Sequence, residues 1–140
     1  MAGLKFTNSD PMQLQRCVRV ANGALDVLCG FDEMLLPALT VGVNGAVGST
    51  YNFAAPLYLR VWKAFTAGDL ATARAEQLKS VDLVGILNHY GFMGATKAVM
   101  KMVGVDVGPA RLPFARLSPE QVNGLRSNLE RVGFFDWIRV

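Results

Sequence analysis

Gly3-Leu-Lys-Phe-Thr-Asn-Ser-Asp-Pro11 is the stretch whose reading decides the fold. Residues 3–7 read as a short β-strand. Ser9 and Asp10 are N-cap residues, and Pro11 suits a first helical turn, where a missing N–H costs nothing. A strand that runs straight into a capped helix is the first half of a βα unit. One charge, Lys5, sits in the middle of the strand, and the residues alone leave two readings open. Packed among Leu4 and Phe6, its ammonium would be desolvated, which frees the amine to attack a carbonyl. On an edge, the same lysine would point to water and blunt unwanted strand pairing.

The pattern then repeats. Residues 11–20 carry Met12, Leu14, Cys17 and Val18 near helical spacing and close on Asn22-Gly23. Residues 25–29 (Leu-Asp-Val-Leu-Cys) form a second short strand, followed by Gly30-Phe-Asp-Glu33. A helix is expected over residues 33–39 with Asp32 as its N-cap, then a third strand over 45–47. The polar run Gly48-Ser-Thr-Tyr-Asn52 follows it. Short buried strands alternating with helices mean an α/β fold with a parallel sheet. In such folds the carboxyl ends of the strands lie on one side, where ligands bind. The polar clusters after the three strands are therefore expected to converge on one site.

Beyond this the chain is helical. A helix over 56–67 uses Leu57, Val61, Ala64 and Phe65 and stops at Gly68. Asp69 caps the next, which runs to about residue 90 with Leu70, Ala73, Leu78, Val81, Val84 and Leu87 as its apolar positions. Residues 94–103 give a shorter helix with Lys97 and Lys101 four apart. A Gly/Pro-containing loop over 104–117 precedes the capping box Ser118-Pro-Glu-Gln121, which starts a last helix to residue 132, ended by Gly133. The organisation expected is three βα units over 1–67 and C-terminal helices over 68–140.

Composition bounds the function. The chain has 140 residues, 51% of them hydrophobic and only 18% charged, which fits strands buried on both faces or a surface hidden against a partner. A formal charge of +3 is spread over scattered Lys and Arg residues, a poor basis for nucleic-acid binding. No apolar stretch reaches the length of about 18 residues that spans a bilayer, and the start lacks the pattern of a secretory signal. Cys17 and Cys29 have neither CxxC spacing nor histidine partners, so they read as buried free thiols of a cytoplasmic protein.

Among candidate sites, Gly42, Gly45 and Gly48 fit no phosphate-binding motif and read as close approaches around a strand. Asp32 and Glu33 are adjacent, so their side chains diverge and cannot form an acid/base dyad. They are equally well read as two hydroxyl-binding carboxylates or as a cap plus a first-turn acid. His89 is the sole histidine and reads as structural, with no metal-ligand cluster around it. Ser49 has no histidine near it in sequence and is best read as a hydroxyl donor to a bound ligand.

Gly3-Leu-Lys-Phe-Thr, Gly30-Phe-Asp-Glu and Gly45-Ala-Val-Gly-Ser-Thr-Tyr-Asn52, at those intervals, resemble the pyruvate-dependent class I aldolase family that contains dihydrodipicolinate synthase. Gly108-Pro-Ala-Arg-Leu-Pro113 resembles the same family's tail. Gly-Phe-Asp-Glu with Gly-Ser-Thr-Tyr-Asn points to the branch that cleaves N-acetylneuraminate reversibly to N-acetylmannosamine and pyruvate. The resemblance implies that Lys5 forms a Schiff base with the 2-oxo group, with no other cofactor and no metal. It implies that Thr7, Gly30, Asp32 and Glu33 hold sugar hydroxyls and that Ser49 contacts the polyol chain. Its partners would be a sugar acid and pyruvate, not nucleic acid or membrane, in a homo-oligomer, tetrameric in full-length relatives.

The family fold is an eight-stranded (β/α) TIM barrel of roughly 250 residues or more. By resemblance this chain supplies the last three βα units and the C-terminal helices. The loop that binds the pyruvate carboxylate and the proton-relaying tyrosine belong to the strands before them. Tyr51, Tyr58 and Tyr90 are the only tyrosines, and none takes that place. The expectation is a truncated partial barrel, inactive or nearly so by itself. Another 2-oxo-acid aldolase or synthase, or a non-catalytic half-barrel that works by assembly, are the alternatives.

Overall fold

The computed structural model describes residues 1–139. Strand β1 (Gly3–Phe6) leads into helix α1 (Pro11–Arg19), and β2 (Asp26–Cys29) leads through a 3-10 turn (Asp32–Met34) into α2 (Leu35–Thr40). Strand β3 (Gly45–Ala46) leads into α3 (Tyr51–Thr66). Helices α4 (Leu70–His89), α5 (Phe92–Met102), α6 (Pro119–Arg131) and α7 (Phe134–Trp137) follow. The strands form one parallel sheet in the order β1-β2-β3, with Lys5 opposite Leu28 and Leu28 opposite Gly45.

Strand alternation sorts these side chains onto two faces. Leu4, Phe6, Val27, Cys29 and Ala46 share the face that joins the helical core. Lys5, Leu28 and Gly45 share the other face, and Leu28 stays outside that core. Helices therefore cover one side of the sheet and leave the side bearing Lys5 bare. Of the two readings of Lys5, this favours the lysine that points to water over one desolvated among Leu4 and Phe6. Neighbours along a strand point to opposite faces, so those two lie beneath the sheet while Lys5 is exposed above it.

The helix starts follow the sequence. Asp10 Oδ1 accepts from the N–H groups of Met12 (2.8 Å) and Gln13 (3.2 Å). Asp69 Oδ1 accepts from Thr72 N–H at 3.0 Å. Ser118 and Gln121 form the reciprocal capping box. Each such cap stabilises its helix by about 1 kcal/mol.

The structure departs from expectation in four places, each with a physical reason. Asp32 is not a helix N-cap: residues 32–34 form a 3-10 turn, and its carboxylate is buried against the loop after β3. Helix α3 starts at Tyr51 rather than residue 56. Ala54 leaves helical geometry (φ −127°, ψ 21°), which lets the helix continue past Pro56 without a ring clash. Helix α4 buries only part of the apolar set expected of it. Ala73, Gln77, Ser80, Val84 and Leu87 face inward, whereas Leu78 (59% exposed) and Val81 (44% exposed) face out. Gln77 and Ser80 are drawn in by polar groups they satisfy, described below. Finally, α7 lies beyond Gly133, where none was expected, and its buried Phe134 meets Phe53 edge-on at 6.1 Å.

Candidate active site at the strand ends

Gly30 follows β2 directly, beside the end of β1, and donates its N–H to the Phe6 carbonyl at 2.8 Å. A Cβ at position 30 would overlap Thr7 Oγ1 and stand 2.7 Å from Lys5 Cε. The absence of a side chain there is what lets Lys5 and Thr7 lean over the end of the second strand. The structure thus brings three of the expected site residues, Lys5, Thr7 and Gly30, into one contact group. An exposed amine, a hydroxyl and an open backbone on the bare face of a parallel sheet suit a carbonyl-bearing ligand that also carries hydroxyls.

Asp32 is held differently. It is 4% exposed, and its Oδ2 accepts from both Thr50 N–H (2.9 Å) and Thr50 Oγ1–H (2.6 Å). The Thr50 hydroxyl spends its proton on the carboxylate, so at its 2.5 Å contact with Tyr58 the phenol donates. Ser80 Oγ lies 3.0 Å from the Tyr58 oxygen and 3.1 Å from the Asp32 carbonyl, to which it donates. Gln77 Oε1 accepts from Leu36 N–H at 2.7 Å. Side chains of α3 and α4 therefore clamp the turn that follows β2. Asp32 Oδ1 is buried without a hydrogen-bond partner, and a Cβ on Gly48 would overlap it. Gly48 is needed for that close approach, not for a phosphate.

Charge collects around this clamp. Burial pushes the Cys29 thiol up; the Phe31 backbone works against that, Asp32 and Glu33 reinforce the rise, and Lys5 opposes it. Lys5, Asp32 and Glu33 thus all act on one buried point. Burial, reinforced by Asp32, also raises the Tyr51 phenol, whose buried oxygen has no partner. Tyr58 is pushed up to about 12, mainly by burial. Glu33 is half-buried at the start of the 3-10 turn, with no side-chain hydrogen bond or ion pair among the described residues. It is the open carboxylate of the pair.

Ser49 opens onto a different cavity from the Lys5 face. It is exposed, and with Asn52, Phe53, Thr96 and Lys97 it lines a cavity of about 250 Å3 between α3 and α5. The expected convergence of three strand-end clusters is met by the first two; the third is tied to them through Thr50 rather than through Ser49. The residues of the clamp that sequence reasoning missed are Thr50, Tyr58, Gln77 and Ser80. A signal for two of them was available: Gln77 and Ser80 fall on the same helical stripe as Ala73, Val84 and Leu87. Among the described residues, no three His, Cys, Asp or Glu side chains gather closely enough to hold a metal ion.

A three-stranded parallel sheet, helices on one face and a lysine on the bare face define an open α/β segment of the kind from which (β/α) barrels are built. The chain belongs to the dihydrodipicolinate synthetase family, whose profile matches residues 1–132. It is 42% identical over 129 residues to the N-acetylneuraminate lyase of Lactiplantibacillus plantarum, an alignment that takes in 92% of this chain and 44% of that relative. Its fold superposes on Proteus mirabilis N-acetylneuraminate lyase with a TM-score of 0.89 at 38% identity, covering 95% of this chain and 45% of the other. For the N-acetylneuraminate lyase of Aliivibrio salmonicida the TM-score is 0.90 at 37% identity, with 95% and 44% coverage. The chain spans less than half the length of these relatives.

Proposed function

We propose that this chain carries the Schiff-base part of an N-acetylneuraminate lyase active site, which cleaves N-acetylneuraminate reversibly to N-acetylmannosamine and pyruvate. Lys5 is the nucleophile. Its amine adds to the 2-oxo carbon and water leaves, forming an iminium. The carbon–carbon bond one atom removed then breaks; its electron pair moves into the iminium to give an enamine, and the adjacent hydroxyl loses its proton to become the aldehyde of the amino sugar. Protonation of the enamine and hydrolysis release pyruvate and the free lysine.

Thr7 and the Gly30-Phe-Asp-Glu33 segment hold sugar hydroxyls, with Glu33 as the open carboxylate. Asp32 fixes the loop that presents Ser49 to the polyol chain. The carboxylate-binding loop and the proton-relay tyrosine would come from the remainder of the barrel, closing over the bare face of the sheet. The assembled enzyme would be a cytoplasmic homo-oligomer. The observation that carries this reading is the convergence of Lys5 and Thr7 over side-chain-free Gly30, in a chain whose relatives are named lyases of this substrate.

The test is pyruvate-dependent borohydride trapping, read by mass spectrometry, on the chain alone and mixed with the N-terminal portion of the Lactiplantibacillus plantarum relative. A pyruvate adduct on Lys5 that vanishes in Lys5→Ala supports the assignment. An adduct that survives Lys5→Ala, or no adduct in either sample, overturns it. Comparing N-acetylneuraminate with other pyruvate aldol adducts in the mixed sample separates the lyase from another aldolase of the family.

A further inference from the structure

Lys97 and Lys101 stand one turn apart on α5, an arrangement of like charges that destabilises a helix unless an anion lies between them. Both line a groove of about 720 Å3 that also takes in Arg116 from the segment after α5 and Arg126 from α6. That volume falls within the roughly 300–1,000 Å3 typical of small-molecule sites. Lys5, Thr7, Gly30, Asp32, Glu33 and Ser49 do not line it, while Lys97 also borders the cavity that Ser49 lines.

The groove carries more positive charge than the protein neutralises. Its one acidic lining residue, Asp106, is occupied: Oδ2 lies 2.9 Å from Lys101 Nζ, and Oδ1 accepts from Gly108 N–H at 3.0 Å. Arg126 reaches Glu130 at 3.3 Å. Lys97 and Arg116 have no acidic partner among the described residues. Lys97 is half-buried. Met102 and Leu117 supply an apolar wall alongside.

We propose that this groove binds a small phosphorylated metabolite, with Lys97 and Arg116 taking the phosphate and the apolar wall taking the carbon skeleton. A guanidinium presents paired N–H donors that match two phosphate oxygens, and the lysine adds a point charge. A ligand bound to the native state alone also raises the stability of the fold.

The experiment is a calorimetric titration of the full chain with glucose 6-phosphate, with inorganic phosphate and with glucose, at constant ionic strength, together with thermal melts. Glucose 6-phosphate is expected to bind and to raise the melting temperature. Inorganic phosphate is expected to bind more weakly, and glucose not at all. Lys97→Gln/Arg116→Gln is expected to weaken glucose 6-phosphate binding at least tenfold. Lys97→Arg/Arg116→Lys, which keeps both charges, is expected to stay within a few-fold of the parent, as is Lys63→Gln on α3. A melting temperature that responds equally to matched sodium chloride, or a double Gln variant that binds like the parent, overturns the proposal.

Discussion

Thr50 gives Asp32 both of its donors, the backbone N–H at 2.9 Å and the hydroxyl at 2.6 Å, on the same carboxylate oxygen. One residue of the loop after β3 thereby locks the residue that follows β2. The two strand ends are thus held in register by a side chain as well as by the short β2–β3 ladder.

Replacing Thr50 by Val keeps its shape and backbone donor but removes the hydroxyl. Asp32 loses a charge-assisted bond, and the Tyr58 phenol loses its acceptor. The expected cost is about 1.5–3 kcal/mol, measured as a lowered urea midpoint with unchanged slope. Thr50→Ser, which retains the hydroxyl, is expected to cost less than half as much.

Gly48→Ala places a methyl group against Asp32 Oδ1. Backbone and carboxylate must then separate, at an expected cost of about 1–3 kcal/mol. The same change in an Asp32→Ala background meets no carboxylate and is expected to cost much less. A double-mutant cycle with no coupling between the two positions would contradict the contact.

Gly85 offers the opposite outcome. It lies inside α4, is exposed, and a Cβ there would meet nothing within 4 Å. Gly85→Ala is expected to stabilise the fold by about 1 kcal/mol, because alanine loses less backbone freedom in a helix. Thermal melts of the two chains decide it.

The Tyr58 phenol, raised to about 12 mainly by burial, makes stability depend on alkaline pH. A group whose pKa is higher folded than unfolded holds its proton more tightly in the native state. Its contribution is complete below the unfolded value of about 10 and is lost as pH rises towards about 12. A two-unit difference corresponds to up to about 3 kcal/mol. Urea midpoints measured across that window are expected to fall for the parent and to fall less for Tyr58→Phe.

The order of strands and helices is written locally. Asp10-Pro11, Asp69 and Ser118-Pro-Glu-Gln121 each cap the helix they precede, because an N-cap satisfies donors two or three residues away and needs nothing distant. Lys5, Thr7 and Gly30 could be nominated from their places in and after short strands. Which face Lys5 occupies, and that it is exposed there, followed from the sheet: β2 settles what lies beside it, and the helices settle which side is covered.

The clamp on Asp32 was not legible in the same way. Its donors come from Thr50, and its support comes from Tyr58, Gln77 and Ser80, up to 48 residues away along the chain. A carboxylate beside a turn reads as a cap from its neighbours alone, and Leu78 and Val81 read as core from apolar spacing alone. Only when α3 and α4 pack over the turn does burial make an unpaired polar group costly, and Gln77 and Ser80 meet that cost by bonding to the turn and the helix after it. Sequence by itself determined the alternation of strands and helices, most of the caps and the strand that carries Lys5. Tertiary packing decided which polar groups are buried together, because the desolvation that governs them exists only once distant segments exclude water.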